Sequence, residues 1–70
     1  MGKSAGIHVN GEERVVAPGT TVLRLLRELS LPESRVAVER NLSIVRKTEY
    51  GETLLEEGDR LEIVTFVGGG

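Results

Sequence analysis

Residues 6–29, GIHVNGEERVVAPGTTVLRLLREL, decide the fold. Gly6-Ile7-His8-Val9-Asn10 alternates small or apolar with polar side chains, the period-2 pattern of a half-buried strand. Asn10-Gly11 follows, the dipeptide that best tolerates the positive φ of a type I′ hairpin turn. Glu12 to Ala17 reads as the returning strand, with Val15 and Ala17 expected to face inward and Val16 ambiguous, and Pro18-Gly19 stops it. Thr20 or Thr21 then offers a hydroxyl oxygen to the free N–H groups of a first helical turn. Val22, Leu25, Leu26 and Leu29 recur at i, i+3, i+4 and i+7, one apolar stripe, while Arg24, Arg27 and Glu28 take the other side. Leu31-Pro32 marks the end of the helix, because a residue before proline disfavours the helical region.

Downstream the pattern returns to strands. Val36-Ala37-Val38 forms the centre of a third strand, Asn41-Leu42 a turn, and Ser43-Ile44-Val45 a short fourth strand. Lys47 to Gly51 reads as a loop or a single helical turn, Thr53-Leu54-Leu55 returns the chain to the core, and Glu57-Gly58-Asp59 is a tight turn. From Arg60 to Val67 the chain is β-rich, with Leu61, Ile63, Thr65 and Val67 on one face and Glu62, Val64 and Phe66 on the other. The order ββαβ(β)β predicts an α+β domain of the β-grasp, ubiquitin-like type: a mixed sheet of four to five strands with one helix packed across it. In that arrangement the first and last strands pair in parallel at the sheet centre, which accounts for the length and hydrophobicity of the last one. Residues 1–67 are expected to form this single domain, followed by a flexible Gly68-Gly69-Gly70 tail.

Composition narrows the chemistry. Seventy residues bury only about 60% of their unfolded surface, so the core is thin. Without cysteine there is neither a disulfide framework nor a thiolate metal site, and His8 alone builds no metal centre. The fold must hold by packing, as expected of a reducing, cytoplasmic setting. Acidic and basic residues are interspersed to a formal net charge of −2, with one Phe, one Tyr and no Trp, so the basic, aromatic footprint of a nucleic-acid binder is missing. No apolar run approaches the ~20 residues of a membrane span, and the N-terminus lacks the apolar region of a signal peptide.

Catalytic constellations are equally sparse. His8 has no nucleophile beside it in a hairpin strand. Glu12-Glu13 and Glu56-Glu57 are adjacent pairs; neighbours in a strand point to opposite faces, and acids in turns are ordinarily solvated. What stands out is the end. Gly68-Gly69-Gly70 forms a thin arm reaching roughly 10 Å beyond Val67 at ~3.3–3.6 Å per residue, free of Cβ atoms and able to thread a narrow channel. A carboxylate on Gly70, with a pKa of about 3.3–3.7, is ionised at neutral pH and can attack the α-phosphate of ATP in a site supplied by another protein. Val64, Phe66 and Val67, next to this arm, are the candidate partner-binding residues.

From Ile7 to Gly70 the sequence resembles the ThiS family of sulfur carriers. The resemblance rests on Asn10-Gly11-Glu12, on Val36-Ala37-Val38-Glu39 with Asn41 and Ile44-Val45, on Gly58-Asp59-Arg60-Leu61-Glu62-Ile63-Val64, and above all on Phe66-Val67-Gly68-Gly69-Gly70. Two positions depart from the family pattern: Leu42 stands where Gly is common, and Arg46-Lys47 where Pro-Arg is common. The resemblance implies a non-enzyme that binds no cofactor and whose Gly70 carboxylate a ThiF-like adenylyltransferase activates with ATP. A cysteine desulfurase then provides sulfur for a thiocarboxylate, and the thiazole synthase ThiG takes that sulfur into the thiazole of thiamine. The small subunit of molybdopterin synthase, MoaD, shares the tail chemistry and is the alternative, followed by a ubiquitin-like modifier or interaction module.

Overall fold

The computed structural model describes residues 2–66. Five strands, one α-helix and two 3₁₀ turns follow in the order β1 (Ala5–Val9), β2 (Glu12–Val16), α1 (Val22–Glu28), a 3₁₀ turn (Glu33–Arg35), β3 (Val36–Arg40), β4 (Ser43–Val45), a 3₁₀ turn (Lys47–Glu49) and β5 (Arg60–Thr65). The sheet order is β2-β1-β5-β3-β4. β1 and β5 run parallel at its centre, and every other neighbouring pair is antiparallel. This is the β-grasp expected from the order of elements. Val22, Leu25 and Leu26 of α1 are fully buried together with Ile7, Val36, Val38 and Leu61 of the sheet, and Ile63 is buried beside them.

The first turn sets the phase of the N-terminal hairpin. Asn10 and Gly11 both have positive φ, 50° and 86°, so a two-residue turn pairs Val9 with Glu12. Ile7 then faces Arg14 and Ala5 faces Val16. Because Ile7 and Ala5 point inward, so does Val16, whereas Val15 lies on the outer face, 74% exposed. The expectation that Val15 and Ala17 would be the inward pair is therefore wrong. Ala17 lies beyond the strand and is exposed. In a run of three small apolar residues the alternation carries no phase; the turn length assigns it.

Helix α1 begins where the sequence places it, with Thr21 as the cap: its Oγ1 accepts from the Arg24 N–H at 3.1 Å. The other free donors of the first turn are met by the returning loop, Val22 N–H by the Thr53 carbonyl and Leu23 N–H by that of Tyr50. Thr20 serves otherwise, its hydroxyl donating to the Ala17 carbonyl at 2.7 Å. At the far end Ser30 takes φ 59°, and the Leu31 and Ser30 N–H groups donate to the Leu26 and Arg27 carbonyls, a Schellman closure. Pro32 follows.

The β3–β4 turn carries the departure at Leu42. Asn41 and Leu42 have φ of 52° and 72°, and Leu42 is 93% exposed, so no packing offsets the left-handed backbone. For a branched side chain that conformation costs roughly 1–2 kcal/mol. Leu42→Gly is expected to stabilise the domain by about 1 kcal/mol, raising Tm by roughly 4–8 °C in a chain of this size. Calorimetry decides it; an unchanged or lowered Tm would refute the strain.

Candidate functional site

β5 leads to the tail, and it is held on both sides. On the β3 side the antiparallel ladder runs from Arg40↔Leu61 to Val36↔Thr65, and the Phe66 N–H donates to the Arg35 carbonyl at 2.8 Å. On the β1 side the ladder covers only His8↔Arg60 and Val9↔Leu61 before the chain turns. There the Asn10 side chain takes the place of the missing strand residue. Its Oδ1 accepts from the Ile63 N–H at 2.7 Å and its Nδ2 donates to the Ile63 carbonyl at 3.1 Å.

The start of β5 is fixed by a second asparagine and a buried acid. Asn41 Oδ1 accepts from the Arg60 N–H at 2.9 Å, and Asn41 Nδ2 donates to Asp59 Oδ1 at 3.0 Å. Asp59, 5% exposed, also accepts from Arg40 Nε and from the Glu56 N–H, both at 2.8 Å. Burial by itself would raise the Asp59 pKa. The hydrogen bonds from the Glu56 backbone, Arg40 and Asn41, with the charge of Arg40, outweigh it and hold the carboxyl below the usual carboxylate range. Gly58 supplies the turn before it at φ 87°.

The face expected to meet a partner is exposed. Val64 and Phe66 are 57% and 56% exposed on the sheet surface away from the helix, as their alternation with the buried Leu61 and Ile63 requires. Val64 lies opposite Ala37 in the ladder, and Phe66 shares a surface groove with Ala37, Ile44 and Arg46. Ile44, on the edge strand, is exposed as well. Beside them Lys47 is tied down, its Nζ donating to the carbonyls of Glu33 at 3.0 Å and Val36 at 2.7 Å. Thus the end of β5 presents an exposed apolar surface. Val67, Gly68, Gly69 and Gly70, the remaining residues predicted for the site, lie outside the described residues.

The residues set aside as catalysts have other roles here. Glu57 accepts from the Gly6 N–H at 2.7 Å, and Glu56 lies 3.6 Å from Arg40. His8 sits 3.9 Å from Glu13 across the hairpin. Among the described residues no three His, Cys, Asp or Glu side chains cluster as a metal would need, and no helix is long and apolar enough to cross a membrane. In the sequence Asn10, Asn41 and Asp59 stand out for resemblance and turn chemistry alone; that all three brace β5 emerges only from the fold.

Comparison with known proteins agrees with this geometry. The ThiS family model matches residues 7–70. A thiazole synthase of Paramagnetospirillum magneticum is 52% identical over 62 residues, covering 89% of this chain and 19% of that protein, so the chain spans about a fifth of its length. The sulfur carrier protein ThiS of Bacillus subtilis is 46% identical over 50 residues, covering 71% of this chain and 76% of that protein. The crystal structure of the thiamine biosynthesis protein ThiS from Geobacter metallireducens superposes with a TM-score of 0.77 at 31% identity, covering 93% of this chain and 99% of that one. With the match running through nearly the whole sequence and the same fold in a solved relative, the chain belongs to the ThiS family.

Proposed function

We propose that the chain is a sulfur carrier of thiamine biosynthesis, acted on by partner enzymes rather than catalysing a reaction itself. The observation that carries this reading is the family match extending to residue 70, together with a relative named as a sulfur carrier. Residues 1–67 act as the recognition domain and Gly68-Gly69-Gly70 as the arm that enters an active site. A carboxylate resists nucleophiles because its charge is delocalised over two oxygens. A ThiF-like adenylyltransferase removes that barrier: a Gly70 oxygen attacks the α-phosphorus of ATP, pyrophosphate leaves, and the acyl-adenylate carries AMP as a good leaving group. The terminal sulfur of a persulfide formed by a cysteine desulfurase attacks the acyl carbon, and AMP leaves. A thiol reductant cleaves the S–S bond of the resulting acyl disulfide, and the thiocarboxylate so released supplies a thiazole synthase of the ThiG type. The likeness to a thiazole synthase supports the last assignment. All of these steps belong to the cytoplasm, and the chain binds no cofactor of its own, ATP being consumed in the partner.

The test is direct. Incubation with the adenylyltransferase, ATP and a sulfur source should add about 16 Da to the intact mass, one oxygen being exchanged for sulfur, on the fragment ending at Gly70. Absence of that shift under conditions that modify another ThiS protein would refute the reading.

Val64, Phe66 and Val67 form the docking surface in this proposal. Exposed apolar groups beside a reactive terminus mark an interaction site. Phe66→Glu is expected to weaken binding to both the adenylyltransferase and the thiazole synthase by about tenfold or more, since a charge would enter a desolvated contact. Because Phe66 is more than half exposed, Tm should stay within a few degrees of wild type. Wild-type affinity for both enzymes would remove Phe66 from the interface.

A further inference from the structure

β5 outruns its parallel neighbour, and this leaves an open rung. The Phe66 N–H bonds to Arg35, so Phe66, Val64 and Glu62 direct their backbone groups toward β3, as alternation along an antiparallel ladder requires. Leu61, Ile63 and Thr65 direct theirs to the β1 side. The Leu61 carbonyl accepts the Asn10 N–H, and Ile63 is satisfied by the Asn10 side chain. Thr65 is next. Among the described residues no strand lies beside it on that side, and it is exposed.

A groove lies along the same flank. Val9, Leu29, Leu31 and Ile63 line it, together with Glu12, Glu13 and Arg14. Val9, Leu29 and Leu31 are only partly buried against the core, so apolar surface remains open where the sheet stops. A free N–H and C=O on a strand edge select one kind of occupant, an extended main chain offering the complementary pair. Side chains of such a strand alternate between faces, so one of them would sit over the groove.

We propose that an extended segment of the enzyme that activates the C-terminal carboxylate adds to the sheet as a sixth strand at Thr65, with an apolar side chain seated between Leu29 and Leu31. The inference rests on the carrier reading and specifies how the partner grips the chain. That enzyme is favoured because the open rung is continuous with the arm it must receive: anything holding Gly70 in an active site runs alongside the strand leading to it. A second copy of this chain, which could offer only its β2 or β4 edge, is a poorer occupant, since neither edge is drawn to the strand that leads to the arm.

An amide-to-ester replacement at Thr65, made by chemical ligation, tests the rung without altering a side chain. It deletes the Thr65 N–H, which has no partner among the described residues. Binding to a ThiF-type adenylyltransferase, measured by titration calorimetry, should weaken about threefold to tenfold, the range for one interfacial hydrogen bond. Leu31→Gln probes the groove independently, with binding measured well below its melting temperature, and should weaken the complex at least as much. Unchanged affinity in either variant overturns the added strand. If the unmodified chain is neither bound nor adenylated, the carrier reading itself fails and the inference falls with it. If it is adenylated and both variants match it, only the inference fails.

Discussion

A chain lacking Gly70 is expected to melt like the wild type and yet give no measurable adenylation. In the proposed reaction the carboxylate must lie in line with the α-phosphate of ATP, and a displacement of about 1 Å can lower a rate by about 10²-fold. Deleting one residue withdraws the reacting group by roughly 3.3–3.6 Å, several times that tolerance, and a C-terminal extension moves it as far the other way. The last core residue in the described structure is Ile63, so neither change touches the packing. ATP–pyrophosphate exchange should fall by at least about 10²-fold for both variants, with Tm unchanged. Full exchange in the extended form would show that the reacting group is not the carboxylate of Gly70.

Asp59→Ala is expected to have the largest effect on stability. The side chain is almost completely buried and accepts three hydrogen bonds, from Arg40, Asn41 and the Glu56 backbone. Its removal strands the Arg40 guanidinium, itself largely covered, and frees the amide that aligns the first residue of β5. Breaking a buried charge pair by deleting one partner costs about 3–5 kcal/mol. At roughly 0.05–0.15 kcal/mol per residue, a chain of 70 residues has roughly 4–10 kcal/mol in total. The variant should therefore be mostly unfolded at 37 °C, or lose half or more of its unfolding free energy in urea.

The same contacts make a pH-dependent contribution. Asp59 has a folded pKa below its unfolded value near 4, so its stabilisation is complete above that pH and disappears as pH falls through the folded value. Wild-type stability should thus decline below about pH 4, and Asp59→Asn, already weakened at pH 7, should decline less steeply there. Urea melts at pH 7, 4 and 3 compare the two slopes. Equal slopes would show that Asp59 is not a source of the acid sensitivity.

Much of this architecture was legible beforehand, for identifiable reasons. Asn10-Gly11 specifies a turn with two positive φ values, and the stripe of Val22, Leu25 and Leu26 can satisfy only one face of a helix. Alternation along residues 60–66 distinguishes buried Leu61 and Ile63 from exposed Val64 and Phe66 without further information. Val15, Val16 and Ala17 failed because three consecutive apolar residues look alike in either phase. Asp59 escaped notice for another reason: an acid after glycine reads as a solvated turn residue. Its burial depends on Arg40 and Asn41, which reach it from the opposite hairpin.

The position of β5 between the two hairpins also bears on how the protein is made. β1–β2 and β3–β4 share no rung with each other; among the described residues only β5 joins them, and it follows the other four strands in chain order. Until Leu61 and Ile63 emerge, the helix and both hairpins have an open core, and closing the sheet requires pairing across nearly the whole sequence, a slow kind of contact to form. Nascent chains arrested with residue 60 still inside the exit tunnel should be digested readily by a protease, and chains with β5 fully exposed should resist. Equal resistance in the two would mean that the hairpins fold without their central strand. Translation thus acts as a checkpoint: a prematurely terminated product lacks the strand that completes the sheet, and quality control would meet it as an unfolded chain.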